Sequence, residues 1–362
     1  VAVPWHQAML ILHGKPWWDE LYGDNHWRRL MVGRHGDRGS FEYFLRELGY
    51  GLLPWIAVAP AALGWSVMRG RATPQPDIPP GVGSSSDVRR QGIIWLGAIW
   101  FVSSYAVVSL SMTKFHHYVL PAIPGLAIVI GCYLDDLLRR GTTRAAAATA
   151  LVGIPLLLII VVDLVAEKSS SQHFLWLFSY DYVHSPHGRP WPEKLDFSGT
   201  IMLFGAAFGV LTIALVSARL RRFALVGLGG AAVCFTYFLL DGYMRDVAPY
   251  WSQKGPIAVY YKNRASADER LIAYQMYWRG ETFYTKNEIY EGPQEDRTVF
   301  DQESADEKLK EWLAHHGGHR HFFLFERGQQ AHLQQMLPLE SQKTFKVIDD
   351  TNNKFSVAQA DL

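Results

Sequence analysis

The stretch SMTKFHHYVLPAIPGLAIVIGCYL, residues 111–134, decides the fold. From His116 onward it is long and apolar enough to cross about 30 Å of hydrocarbon as a helix. Yet Lys114, His116, His117 and Tyr118 crowd its mouth. Ionisable groups at a membrane boundary are costly unless they pair, reach the headgroups or serve a ligand. Which of these applies depends on where the membrane lies and which side the turn faces.

Averages conceal the answer: net formal charge is +1 over 362 residues, and mean hydropathy is −0.01. The apolar residues are strongly segregated. Six runs of spanning length occur, at approximately 50–68, 93–111, 116–134, 145–166, 199–218 and 223–241. Pro121 and Pro124 in the third are tolerable because neighbouring helices can satisfy the freed carbonyls. None of the six is followed by a small-residue cleavage site, so none is a signal peptide. Arg69, Arg71, Arg89 and Arg90 follow the first run, Arg139, Arg140 and Arg144 the third, and Arg219, Arg221 and Arg222 the fifth. Positive loops stay in the cytoplasm. The turn at 112–115, the loop 167–198, the segment 1–49 and the tail after 242 therefore face outward. Cys132 and Cys234 fall inside the spans and pack as small apolar residues rather than forming a disulfide framework.

The domain reading follows from these runs. Residues 1–49 form outer interfacial helices and a loop, rich in Trp and Tyr that suit the headgroup layer. Residues 50–241 are the transmembrane region, with ATPQPDIPPGVGSSSD in a cytoplasmic linker at 72–88. Residues 242–362 are a small extracytoplasmic α/β domain. Within it ERLIAYQMYW, HRHFFLFER and NKFSVAQA suggest strands, and SADEKLKEWLAHHGG and QQAHLQQMLP suggest helices. Ser304 with Glu307 makes a capping box for the first of these helices. The domain carries no glycine-rich phosphate loop or zinc-protease motif, which favours a structural or lid-like role.

Two groups of residues could carry chemistry. Lys114, His116, His117 and Tyr118 suit an interfacial anchor, with the lysine snorkelling and the tyrosine among headgroups. They equally suit a lipid phosphate, which needs an ammonium, a phenol and an imidazole. Arg28, Arg29, Arg34 and Arg38 concentrate positive charge on the outer side, where topology gives no reason for it. Guanidinium forks match phosphate oxygens, although plain headgroup attraction also accounts for any single arginine. His26, His35, Asp24 and Glu20 have ligand chemistry for a divalent ion but no recognised metal spacing. Asp24 and His26 are the metal candidates; no cofactor is certain and no nucleic-acid partner is expected.

The segments VPWHQAMLILHG (3–14) and DNHWRRLMVGRHGDRGSFEYFLRELGYGLLPW (24–55), with TKFHHYVLPAIPGLAIVIG (113–131), resemble two ordered motifs of bacterial membrane glycosyltransferases. The family is the polyprenyl-phosphate-sugar-dependent GT-C group, which includes the aminoarabinose transferase of lipid A and protein mannosyltransferase-like enzymes. The resemblance covers roughly residues 1–135. It implies a polytopic α-helical membrane protein of the GT-C type with a C-terminal extracytoplasmic α/β domain, in the bacterial inner membrane, its last domain periplasmic. It implies a glycosyltransferase that moves a sugar from a polyprenyl-phosphate donor to a lipid or protein acceptor in the envelope. By motif position, Lys114, Tyr118 and Arg28 or Arg29 would hold the lipid phosphate, with His26, His116 and His117 in support. The family's catalytic aspartate belongs to an early outward loop. The chain starts at Val1 without methionine, so that aspartate is expected before Val1, and the catalytic residue of the present chain is unknown. The FHH at 115–117 departs from the proline-containing turn of the aminoarabinose enzymes and puts that substrate in doubt. The competing readings are a flippase-like carrier or oligosaccharide ligase, and a non-enzymatic or degenerate scaffold with a periplasmic partner-binding domain.

Overall fold

The computed structural model describes residues 2–32, 42–70, 85–140, 143–168, 171–177, 191–276, 279–291, 293–300 and 305–362. Arg34, His35, Arg38, Ser304 and most of the proline-rich linker lie outside the described residues. The chain divides into two compact units, Val1–Asp163 with Thr200–Cys234, and Leu164–Gly199 with Phe235–Leu362. The loop 164–199 thus groups with the C-terminal residues.

The first unit is helical. α1 (Ala2–Trp18) is kinked at Gly14, whose φ of 62° suits glycine, and runs into a π-helical stretch at Asp19–Arg28. α2 (Glu42–Gly51) is amphipathic and buries Phe44 and Leu48. Then come α3 (Ala59–Gly70), α4 (Ser85–Leu110), α5 (Ile123–Arg140), α6 (Thr143–Val165), α7 (Ser198–Ala214) and α8 (Arg221–Tyr237).

Among the described residues, four helical stretches are long and apolar enough to cross a bilayer: Arg89–Leu110, His116–Arg139, Thr143–Val165 and Arg221–Trp251. The other two expected spans are shorter apolar helices, Trp55–Met68 and Ser198–Ala214. The first is short because residues 42–51 form their own amphipathic helix, which ends just before Pro54, a residue without an N–H to continue it. The fifth stops at Ala214 because the chain turns there to bury Arg221. Its guanidinium donates to the carbonyls of Leu215 at 2.9 Å and Leu137 at 3.1 Å, satisfying helix ends. The long helices turn large apolar side chains outward: Leu96, Ile99, Val102, Val107 and Leu110 on α4, Leu151, Leu158, Ile159 and Val162 on α6. A surface of this kind is stable only in hydrocarbon. The protein is a polytopic membrane protein.

Small residues set the helix spacing. A Cβ at Gly125 of α5 would lie 2.6 Å from the amide nitrogen of Phe101 and 2.7 Å from the carbonyl of Gly97 on α4. Without a hydrophobic drive between helices in lipid, such backbone approach provides the packing. Tyr133 and Thr149 add a buried hydroxyl pair at 2.6 Å between α5 and α6.

The second unit holds a five-stranded sheet. Its strands are β1 (Leu271–Tyr274), β2 (Val299–Phe300), β3 (Arg320–Glu326), β4 (Lys346–Asp349) and β5 (Phe355–Asp361). The spatial order is β2-β1-β3-β5-β4; β2, β1 and β3 are parallel, and β5 pairs antiparallel with β3 and with β4. β1 and β3 lie inside the stretches the sequence suggests as strands, and β5 overlaps the third, running one residue past it to Asp361. β3 is a continuous apolar run, Phe322 to Phe325, fully buried, as a strand covered on both faces must be. α9 (Lys254–Asn263), α10 (Ala305–His315) and α11 (Gln330–Met336) supply Tyr260, Leu309, Trp312 and Leu333 to that core.

His321 on β3 makes this unit sensitive to acid. It is 3 % exposed, and burial, reinforced by the positive neighbours His319 and Arg270, pushes its pKa down to about 4. Its Nδ1 accepts from the Arg270 amide at 3.2 Å, as a neutral imidazole does. The unfolded chain binds the proton more readily than the folded one. Stability is therefore full above about pH 6.5 and falls as the pH drops towards 4, by on the order of 3 kcal/mol. Urea unfolding of the whole chain between pH 4 and 7 should show that slope, and His321→Gln should flatten it. An unchanged slope in the variant would assign the acid sensitivity elsewhere.

Candidate functional site

The turn after α4 is built by its own backbone needs. A helix C-terminus leaves carbonyls unpaired, and Lys114 meets them. Its Nζ donates to the carbonyls of Val108 at 3.3 Å, Ser109 at 2.5 Å and Ser111 at 2.6 Å. The ammonium also lies 5.3 Å from the centroid of the Phe44 ring on α2. Lys114 is 6 % exposed, and burial pulls its pKa below the usual lysine value. In this structure all three N–H donors of Lys114 are engaged in shaping the turn.

The turn is fastened to the segment that follows the π-helical stretch. The amides of Met112 and Thr113 donate to the carbonyls of Leu30 at 2.9 Å and Arg29 at 3.1 Å. The Ser111 hydroxyl also reaches the Arg29 carbonyl, at 3.3 Å. This clasp fixes Arg29 beside the next span. Its Nη1 donates to the Tyr118 hydroxyl at 3.0 Å, bridging residues 89 apart in the chain. The Tyr118 oxygen accepts there, so its own proton remains available for a ligand. Nε of Arg29 is buried without a hydrogen-bond partner. A buried guanidinium N–H lacking an acceptor is costly, and an anion at this point would relieve it.

Aromatic rings wall the pair. His117 stacks on Phe115 at 5.6 Å and stands edge-on to Tyr118 at 4.9 Å and to His116 at 5.5 Å. His117 is exposed, while Tyr118 and His116 are half-buried. Guanidinium, phenol and imidazole thus converge where the third span meets the boundary.

The other sequence candidates lie apart from this pair. Arg28 is exposed and faces Asp24 at 3.4 Å, one turn back on its own helix. His26 engages the Leu21 carbonyl through Nδ1. Among the described residues, no three His, Cys, Asp or Glu side chains converge as a metal site. Asp24 and His26 have local partners instead.

Sequence reasoning missed a second polar constellation in this unit. Tyr50 at the end of α2 donates to Asp163 of α6. Glu47, one turn earlier, is half-buried, which raises its pKa to about 7. The signal was present: Asp163 is a lone carboxylate in the apolar run LLLIIVVDLV, and intramembrane carboxylates mark function by default.

No family model matches the chain. Its architecture defines a class, multi-span membrane proteins with a small α/β domain. Within that class, the chain is similar in fold to the solved structure titled "Crystal Structure of ArnT from Cupriavidus metallidurans bound to Undecaprenyl phosphate", with a TM-score of 0.55 and 18 % identity. That match covers 99 % of this chain and 58 % of the solved one. In sequence, the chain is 28 % identical over 139 residues to the undecaprenyl phosphate-alpha-4-amino-4-deoxy-L-arabinose arabinosyl transferase of Edwardsiella ictaluri (strain 93-146), covering 38 % of this chain and 21 % of that protein. It is 27 % identical over 167 residues to the transferase of that name numbered 2 in Pseudomonas fluorescens (strain Pf0-1), covering 46 % and 26 %. The matched stretches thus span about a quarter of these curated relatives.

Proposed function

We propose that this chain belongs to a membrane glycosyltransferase and holds the phosphate of a polyprenyl-phosphate-linked sugar donor while the sugar passes to an envelope acceptor, a lipid or a protein. The observation that carries the reading is the Arg29–Tyr118 pair, with its buried, unpartnered Nε at the boundary end of a span. In transfer from a polyprenyl phosphate, negative charge accumulates on the leaving phosphate as the glycosidic bond breaks. Preorganised donors aimed at that charge lower the barrier. Arg29 offers a guanidinium and Tyr118 a phenolic proton, with His117 beside them. Lys114 serves the same phosphate site by holding the turn, and Arg28 adds positive charge nearby. His26 and His116 are support. The likeness to transferases named for an undecaprenyl phosphate sugar, and to a fold solved with undecaprenyl phosphate, supports the donor class.

The basic loops orient this reading. The site and the C-terminal α/β domain face the periplasm of a bacterial inner membrane. The division is residues 1–49 interfacial, 50–241 membrane and 242–362 periplasmic.

The test is a titration of the chain in lipid nanodiscs with undecaprenyl phosphate and, in parallel, undecaprenol. Saturable binding that requires the phosphate is expected. Equal binding of the alcohol, or no saturation with either, would overturn the proposal.

A further inference from the structure

In open sheets with parallel strands, ligands bind outside the carboxyl ends of the strands, where neighbouring connections depart in opposite directions. β1 and β3 are parallel neighbours. The chain leaves β1 towards β2 on one side and leaves β3 towards β4 and β5 on the other. The carboxyl ends of β1 and β3 therefore form such a point.

Four polar side chains meet there from separate parts of the chain. Tyr274 ends β1 and Gln275 follows it. Asp306 lies in the first turn of α10, which follows β2, and His332 lies on α11, which follows β3. The Tyr274 hydroxyl donates to Oδ1 of Asp306 at 2.5 Å. Nε2 of His332 lies 2.9 Å from Oδ2 of the same carboxylate. The Gln275 amide nitrogen donates to the Tyr274 oxygen at 3.2 Å. Tyr274 is wholly buried, while the side chains of Asp306 and His332 are 39 % and 46 % exposed. The acid is thus fixed from beneath and the imidazole stands open. Gln275 has φ of 52°, a left-handed conformation that is unfavourable for a non-glycine residue. Strain of this kind collects where a side chain must be aimed.

The chemistry of the ligand follows from the protons. Hydrogen bonds from Tyr274, then His332, hold Asp306 below the usual carboxylate range. Both its oxygens accept, so Nε2 of His332 carries a proton towards it, and in the neutral ring Nδ1 is left as an acceptor. Gln275 retains its amide oxygen as a second acceptor. Asp306 and Glu307 fill the first turn of α10 and offset the positive end of the helix, which disfavours an anion. Groups that donate hydrogen bonds are what fit.

The geometry points to a docking site for saccharides, through their hydroxyl or amine groups, at the carboxyl end of this sheet, with His332 Nδ1 and Gln275 Oε1 as the acceptors. This site shares no residue with the phosphate site and does not depend on the donor reading.

Calorimetric titration of the whole chain in nanodiscs tests it, using N,N′,N″-triacetylchitotriose for hydroxyls, the deacetylated glucosamine trisaccharide for amines, and inorganic phosphate. One or both saccharides should bind at about millimolar concentration, and phosphate should not. Which trisaccharide binds tells hydroxyl from amine recognition. His332→Ala and, separately, Gln275→Ala should weaken saccharide binding about tenfold. Both residues are at least partly exposed, so folding should survive. The idea falls if neither saccharide binds the unaltered chain, if both variants bind them equally well, or if phosphate binds in their place. Undecaprenyl phosphate binding, measured on the same samples, should be unchanged by either variant and so reports on the donor reading separately.

Discussion

Replacing Arg29 by alanine should weaken undecaprenyl phosphate binding about 10- to 100-fold and lower sugar transfer by the complete enzyme about 100- to 1000-fold. Binding loses one charge-assisted donor set. Transfer loses more, because the charge on the leaving phosphate is greatest in the transition state, where a fixed donor contributes most. Tyr118→Phe removes only the phenolic proton and the acceptor for Nη1, so a smaller loss, about 5- to 10-fold, is expected in binding. Arg29→Lys should recover charge but not activity, since an ammonium cannot reproduce the planar fork that meets both Tyr118 and an anion. The melting temperature should stay close to that of the unaltered protein in all three variants. Full transfer by Arg29→Ala would remove this residue from the phosphate site.

Lys114→Ala should behave differently. Three hydrogen bonds from a buried ammonium are lost and the carbonyls of Val108, Ser109 and Ser111 lose their shared partner. The expected cost is about 3 to 5 kcal/mol of stability, read as a clear drop in melting temperature. Donor binding should weaken too, because the turn that fastens Arg29 loosens. Lys114→Met, which keeps the apolar stem over Phe44, should recover packing but not the caps. Loss of donor binding with an unchanged melting temperature would mean that the ammonium meets the phosphate directly. The contrast between position 29, where affinity falls alone, and position 114, where stability falls with it, separates contact from support.

Much of the membrane architecture is legible in the sequence. The cost of burying an unpaired backbone in lipid leaves long apolar runs one conformation. The two shortened helices are less legible. Their ends depend on where Pro54 interrupts the chain and on Arg221 finding the Leu137 carbonyl, 84 residues away. The five-stranded sheet shows the same division. β1 and β3 are visible as apolar runs, whereas the two-residue β2 is too short to carry a pattern and exists because β1 pairs with it.

The polar turn at 111–118 separates local from distant causes most clearly. Its amino acids alone mark it as a polar boundary cluster suited to an interfacial anchor or to a lipid phosphate, and the charge of the loops predicts Arg28 and Arg29 on the same side. They do not tell these arginines apart. Adjacent helical residues point about 100° from each other, and the clasp between 29–30 and 111–113 turns Arg29 to Tyr118 while Arg28 faces Asp24. Nor does the sequence reveal that Lys114 caps the helix before it, because a lysine beside a span suits water, lipid or carbonyls equally. Asp163 with Tyr50 likewise joins residues 113 apart in the chain. Composition and periodicity act over a few turns and determine which segments are apolar and long enough to enter the membrane. Side-chain partners across 80 or more residues are set by packing, where one hydrogen bond selects between rotamers of similar local energy.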